Sequence, residues 1–258
     1  MQKQEAIKSL KFLGWLLLLL LVVGLIVAAA KRKDIERTKS VNVQIAALPD
    51  GENLITQGDV FALIERSFGN SLEGLRHSEV NVERIERILK EYPFVLDAEA
   101  FINAQNIIEI DIQQRVPVLR IIDKIGVSYY LDEFGQRLPL SKNYTARVLI
   151  ATGNIPPFVP DFQEREQHTL HHIYELVQKI VAKPFLWAMT EQIYVNNKNQ
   201  FTLIPKLGKQ KIRLGKYDLI EEKLENLEIF YQQAVAEKGW RLYKEIDLQY
   251  EGQVVGVK

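Results

Sequence analysis

The side chains best placed for chemistry lie in one stretch: Glu164, His168, His171, His172 and Glu175. Spacings of three and four residues put several of them on one face of a helix. Two histidines four apart, His168 and His172, could hold zinc if a third ligand joined them. Helix spacing is a weak zinc signal, because a catalytic zinc needs further ligands and a shaped site. A solvated helix face with accidental histidines accounts for the same residues more simply. Asp132 and Glu133 are paired carboxylates, but Asp132-Glu133-Phe134-Gly135 reads first as a tight turn, with Asp as turn former and Gly supplying positive φ. The sequence contains no Gly-x-Ser-x-Gly elbow, Walker loop or dinucleotide fingerprint. These residues predict no catalytic, cofactor-binding or metal site, and the chain reads as a binding protein.

Composition narrows the classes further. The chain has 258 residues, 47% of them hydrophobic and 26% charged, enough for one large or two smaller domains with real cores. Basic and acidic residues balance at 33 each, so no overall field favours nucleic acid. The absence of cysteine excludes a disulfide framework, a thiolate nucleophile, a zinc ribbon and a lipid-modified cysteine.

Residues 12–30 carry no charge and include an unbroken run of leucine from Leu16 to Leu21. As a helix they would extend roughly 28 Å, close to the hydrocarbon thickness of a bilayer. Trp15 stands where an interfacial aromatic would anchor such a helix. The rival is a cleaved signal peptide, since Ala28-Ala29-Ala30 precedes Lys31, but a secretory apolar core is usually about 7 to 15 residues long. The expectation is therefore an uncleaved span behind a short tail, 1–11. Charge leaves the orientation open. Lys31, Arg32, Lys33, Arg37 and Lys39 against Asp34 and Glu36 would by count keep the long part inside the cell, yet large domains translocate largely regardless of such charge. The same basic stalk, 31–40, could touch anionic lipid headgroups or be an ordinary solvated segment.

Beyond the stalk, Val41 to Ile45 alternates as a half-buried strand. A helix follows, with the stripe Val60, Leu63, Ile64 and Phe68, with Thr56 or Asp59 as N-cap and Gly69 as stop. Asn81 opens a second helix carrying Val82, Ile85, Ile88, Leu89 and Tyr92, and Pro93 ends it. Strands at 94–103 and 108–113 complete a β-α-α-β-β unit with Ala104 to Asn106 as the turn. Two helices on one face of a small sheet bury one core, which predicts a compact domain over 41–120. From 121 to 258 the texture is that of a second, sheet-dominated domain. It has a hairpin around Asp132 to Gly135, strands near 147–151, 192–195, 200–204 and 211–214, helices near 164–181 and 217–236, and a last strand at 245–250. The fold class is α+β.

Seven stretches carry a resemblance to the FtsQ/DivIB family of bacterial cell-division proteins. Tyr92-Pro93-Phe94-Val95 with Asp97-Ala98 resembles the helix-to-strand junction of its POTRA domain, and Gln114-Arg115-Val116-Pro117-Val118 its Glu-Arg-x-Pro exit. Tyr130 to Gly135 with Leu149 to Gly153 resembles the first hairpin and next strand of its β domain. Ile212 to Gly215, Lys223-Leu224 and Ile246 to Tyr250 follow in the family's order. Gln249 stands where the family often has Arg, and the His168 helix has no counterpart in the pattern.

The resemblance implies a non-enzymatic scaffold of the division complex, with one span, a POTRA domain and a β domain. It places the N-terminus in the cytoplasm and the bulk in the periplasm, at the inner membrane. It implies FtsB and FtsL as partners, with other division proteins besides, membrane lipid around the span and no cofactor. The expected partner site is the last strand and the residues after it: Ile246, Asp247, Leu248, Gln249, Tyr250, Glu251 and Gly252. Ile246, Leu248 and Tyr250 alternate with polar residues there, and an unpaired edge would accept an incoming strand. The same alternation also suits ordinary core residues. Alternatives from other classes are a POTRA-bearing chaperone or transport accessory protein, and a membrane-anchored hydrolase built on the histidine helix.

Overall fold

A computed structural model describes residues 14–25, 36–235, 239 and 242–258. The first described segment, 14–25, is a helix, α1, whose leucines are exposed. The span expected over 12–30 extends beyond the described residues at both ends. Among the described residues no helix is long and apolar enough to cross a membrane.

Two compact units follow, and the backbone passes between them at Gln114 and Arg115, with Leu48–Leu54 belonging to the second. In the first unit, β1 (Ser40–Ala46), β2 (Val95–Ile102) and β3 (Ile107–Gln114) form a sheet of order β1-β3-β2. β1 runs parallel to β3, and β2 antiparallel to it. The period-two pattern explains the burial: Ile108, Ile110 and Ile112 are in the core, while Asp111 and Gln113 face water. Helices α2 (Gln57–Phe68) and α3 (Val82–Lys90) add Val60, Ile64, Ile85 and Leu89 to that core. The choice of cap for α2 is resolved as Thr56, and Asp59 completes a capping box. The Asp59 N–H donates to Thr56 Oγ1 at 3.2 Å and the Thr56 N–H to Asp59 Oδ2 at 2.8 Å. Gly69 ends the helix with φ near 79°.

The second unit is built on a nine-stranded sheet. Its strands are β4 (Pro117–Ile122), β5 (Ser128–Asp132), β6 (Arg137–Leu138), β7 (Leu149–Gly153), β8 (Thr190–Val195), β9 (Phe201–Pro205), β10 (Lys211–Gly215), β11 (Glu245–Asp247) and β12 (Val255–Val257). Their order is β12-β11-β10-β9-β8-β7-β4-β5-β6. β4 is thus a strand of this sheet, where the sequence pattern continues the first domain as far as Arg120. One set of alternating side chains, from Leu119 and Ile121 to Ile246 and Leu248, forms a single core with Leu170, Ile173, Leu176, Val177 and Ile180 of α4 (Thr169–Val181) and Leu224 and Leu227 of α6 (Ile220–Phe230). A short helix, α5 (Pro184–Met189), begins on a proline, which suits the first helical turn, where the missing N–H costs nothing. The helix expected over 164–181 starts at Thr169, after a separate 3-10 turn at Phe162–Glu164. A π-helical turn, Tyr231–Val235, extends α6.

Candidate partner-binding site

Two connections meet at one end of the large sheet. β10 and β11 are parallel, so the link from β10 to α6 and the link from β11 to β12 leave the sheet at the same end. Gly215, at the end of β10, has φ near 75°, and a Cβ there would come within 2.7 Å of the Gln249 side chain. The left-handed backbone and the close approach both favour glycine at that position.

The expected partner residues divide between core and surface. Ile246 and Leu248 are fully buried in the core, and Asp247 is also buried. Asp247 Oδ1 accepts a hydrogen bond from the Gln249 N–H at 2.9 Å, and Oδ2 one from Gln249 Nε2 at 3.2 Å. An aspartate that binds the backbone two residues ahead offers it an alternative to ladder pairing. This bond accompanies the end of β11 at Asp247, so the strand is shorter than the alternation through Tyr250 predicts. Tyr250 is 59% exposed. Gly252 has φ near 66°, and its N–H donates to Glu222 Oε1 of α6 at 3.1 Å. Nothing lies within 4 Å of a Cβ built at Gly252, so the turn conformation is what requires glycine there.

The expected free edge is not on β11, which pairs with β10 on one side and β12 on the other. β12 is the terminal strand. Sequence reading did not find it, although Gly252 followed by Val254, Val255 and Val257 is a turn residue before a β-branched run, which is the signal that marks it. The other end strand is the two-residue β6.

The histidines of α4 serve three separate purposes. His168 caps the helix, its Nδ1 accepting from the Leu170 N–H at 3.2 Å. His171 Nε2 lies 3.4 Å from Glu175 Oε2. His172 stacks on Tyr217 with ring centres 4.3 Å apart and planes inclined by 13°. The Tyr217 hydroxyl donates to Glu175 Oε2 at 2.9 Å. Burial lowers the pKa of His172, with the neighbouring His171 acting in the same direction, and burial raises that of Tyr217. Among the described residues no three His, Asp or Glu side chains are grouped to hold a metal ion. Asp132 is a fully buried turn organiser: Oδ1 accepts from the N–H groups of Phe134 and Gln136, and Oδ2 from Arg115.

Residues 116–257 match the model of a family described as FtsQ/DivIB, C-terminal related, and residues 36–113 match that of a POTRA-like domain. The chain belongs to the FtsQ/DivIB family. No curated protein matches it. Membership makes the chain a member of a non-enzymatic, membrane-anchored family of cell-division proteins. The α+β architecture, with a POTRA-like unit ahead of a sheet-rich one, agrees with the expectation from sequence. Within the family's C-terminal region lie both connections at the β10–β11 end of the sheet, the edge strand β12 and the exposed Tyr250.

Proposed function

We propose that the chain is a bitopic scaffold of the bacterial division complex, with a cytoplasmic N-terminus and its β domain in the periplasm, where it binds FtsB and FtsL. The observation that carries this reading is the terminal strand β12 beside a glycine turn that presents an exposed tyrosine. An edge strand offers its backbone N–H and C=O groups to an extended partner segment, and an aromatic next to it supplies an anchor. The site comprises Ile246 to Gly252 together with Val255–Val257, with Ile246 and Leu248 holding the strand from within the core. The apolar run 12–30 and family membership support a single inner-membrane span, with lipid around it. The POTRA-like unit alone would also suit a chaperone, but the FtsQ/DivIB match over the β unit favours division.

The test uses the full chain in detergent with the FtsB–FtsL complex. Binding should be saturable and should slow hydrogen exchange at the Val255–Val257 amides. No binding, or binding that leaves those amides unprotected, removes the site. A reporter that fluoresces only in the cytoplasm, fused after Lys258, should be dark, and bright cells would invert the topology.

A further inference from the structure

Three residues in the described chain other than glycine have positive φ: Asn106, Asn199 and Leu219. Asparagine tolerates the left-handed region because its short side chain bonds locally, whereas leucine there is an outlier that persists only when its surroundings over-determine it. Leu219, at φ 47° and ψ 32°, opens α6 without any side-chain cap. A large aliphatic side chain is the wrong residue for a helix N-cap and the wrong residue for this backbone. It is also 52% exposed.

The neighbours of Leu219 fix it in that state. Tyr217 is held by its stack on His172 and its bond to Glu175. Asp218 is ion-paired with Lys223, a lysine that is itself buried. Lys223 Nζ also donates to the Lys216 carbonyl at 3.3 Å, and the Asp218 N–H donates to the same carbonyl at 2.9 Å. The segment from Lys216 to Asp218 is thus fastened by side chains from α4 and α6, and the strain falls on the next residue. An asparagine or glycine would adopt this backbone with less strain.

Leu219 stands one helical turn before Glu222, and Glu222 holds the Gly252 N–H of the turn that carries Tyr250. Two exposed apolar side chains, Leu219 and Tyr250, therefore sit on neighbouring connections at one end of the sheet, joined by the Glu222–Gly252 bond. Backbone strain of this kind collects at sites that present a side chain to a ligand.

We infer that Leu219 is a pre-organised apolar anchor of the partner site. It receives a large aliphatic or aromatic side chain of the same partner segment that extends the sheet at β12. The inference rests on the β12 reading above. It adds a second contact on a different element, and hence a specificity determinant: a segment with a small or charged residue at that point is discriminated against even if its backbone pairs with β12.

The test uses the full chain with the FtsB–FtsL complex and the variants Leu219→Gly and Leu219→Asn, both compatible with the left-handed backbone. Each should weaken binding about tenfold, as loss of an apolar anchor does, while leaving the thermal midpoint unchanged or raised. Wild-type affinity in both variants, with β12 amides still protected, overturns the anchor and leaves the β12 site standing. A midpoint lowered by several degrees in both variants also overturns it, since Leu219 would then serve the fold. Absence of binding by the wild-type chain defeats the β12 reading and this inference together.

Discussion

Glu222 Oε1 of α6 accepts a hydrogen bond from the Gly252 N–H at 3.1 Å, so the turn between β11 and β12 is tied to a helix that enters the chain thirty residues earlier. The bond is exposed, and its worth to global stability is small. Its effect is to hold Tyr250 and β12 in one geometry. Glu222→Ala should therefore weaken FtsB–FtsL binding several-fold with little change in urea midpoint, while Glu222→Gln, which keeps an acceptor oxygen, should bind much as wild type does. Equal affinity in the alanine variant would show that the turn needs no tether.

Tyr250 is exposed and is the aromatic nearest the edge strand in sequence. If it anchors the partner, Tyr250→Ala should cost about 2 kcal/mol of binding, the scale of an interface hot spot, and leave the thermal midpoint nearly unchanged. Calorimetric titration decides, and an unfolded or fully competent variant sinks the assignment.

Asp132 is fully buried with hydrogen bonds from two backbone N–H groups and from Arg115. Removing the carboxylate leaves these part-buried donors without their protein acceptor. Asp132→Ala should destabilise the second unit by about 3 kcal/mol, read as a lower urea midpoint. A loss below about 1 kcal/mol would mean that water replaces the carboxylate at little cost.

His172 supplies a pH dependence whose sign is fixed. Its folded pKa lies below the ordinary histidine value of 6.5, chiefly through burial. As pH falls through 6.5 the unfolded chain takes up a proton that the folded His172 does not, so its contribution is present above that pH and is lost below it. His168 shifts in the same direction, with burial first and Arg165 second. The hydrogen bond to the Glu166 backbone opposes the shift at His172, and Glu175, which accepts from Tyr217, opposes it to a lesser extent. Thermal midpoints should drop between pH of about 7.5 and about 5.5. His172→Phe, which keeps a ring against Tyr217 and Phe201, should flatten that slope, and a slope of opposite sign in the wild type would refute the account.

Much of the architecture was legible because local chemistry and long-range packing agree. Ile108, Ile110 and Ile112 alternate in sequence and are buried together. Thr56 and Asp59 both read as possible caps and prove to act together, and Asp132 with Gly135 spells the hairpin that forms. The losses have equally local causes. α5 is only six residues long, too short to show a helical period, and its proline reads as a breaker as easily as a first turn. β11 stops early beside the side-chain bond of Asp247 to Gln249, which alternation does not encode. The neighbours of β11 could not be read at all, since strand pairing is non-local. Leu219 was invisible for a further reason: backbone strain is set by the fastening of Tyr217 and Asp218, and no propensity announces it.

The single core of the second unit carries a thermodynamic consequence. Ile246 and Leu248, which support the docking edge, share that core with Leu119 and Ile121 at the far side of the sheet order. Any ligand that grips the edge only in its folded form is therefore linked to the folding equilibrium of the whole unit. At a free concentration one hundred times its dissociation constant, it would add about 2.7 kcal/mol to the unfolding free energy. By reciprocity, a core lesion that lowers stability anywhere along the sheet reduces the population able to dock. A division complex assembled on this edge would thus discriminate against damaged copies of the protein without contacting the damage.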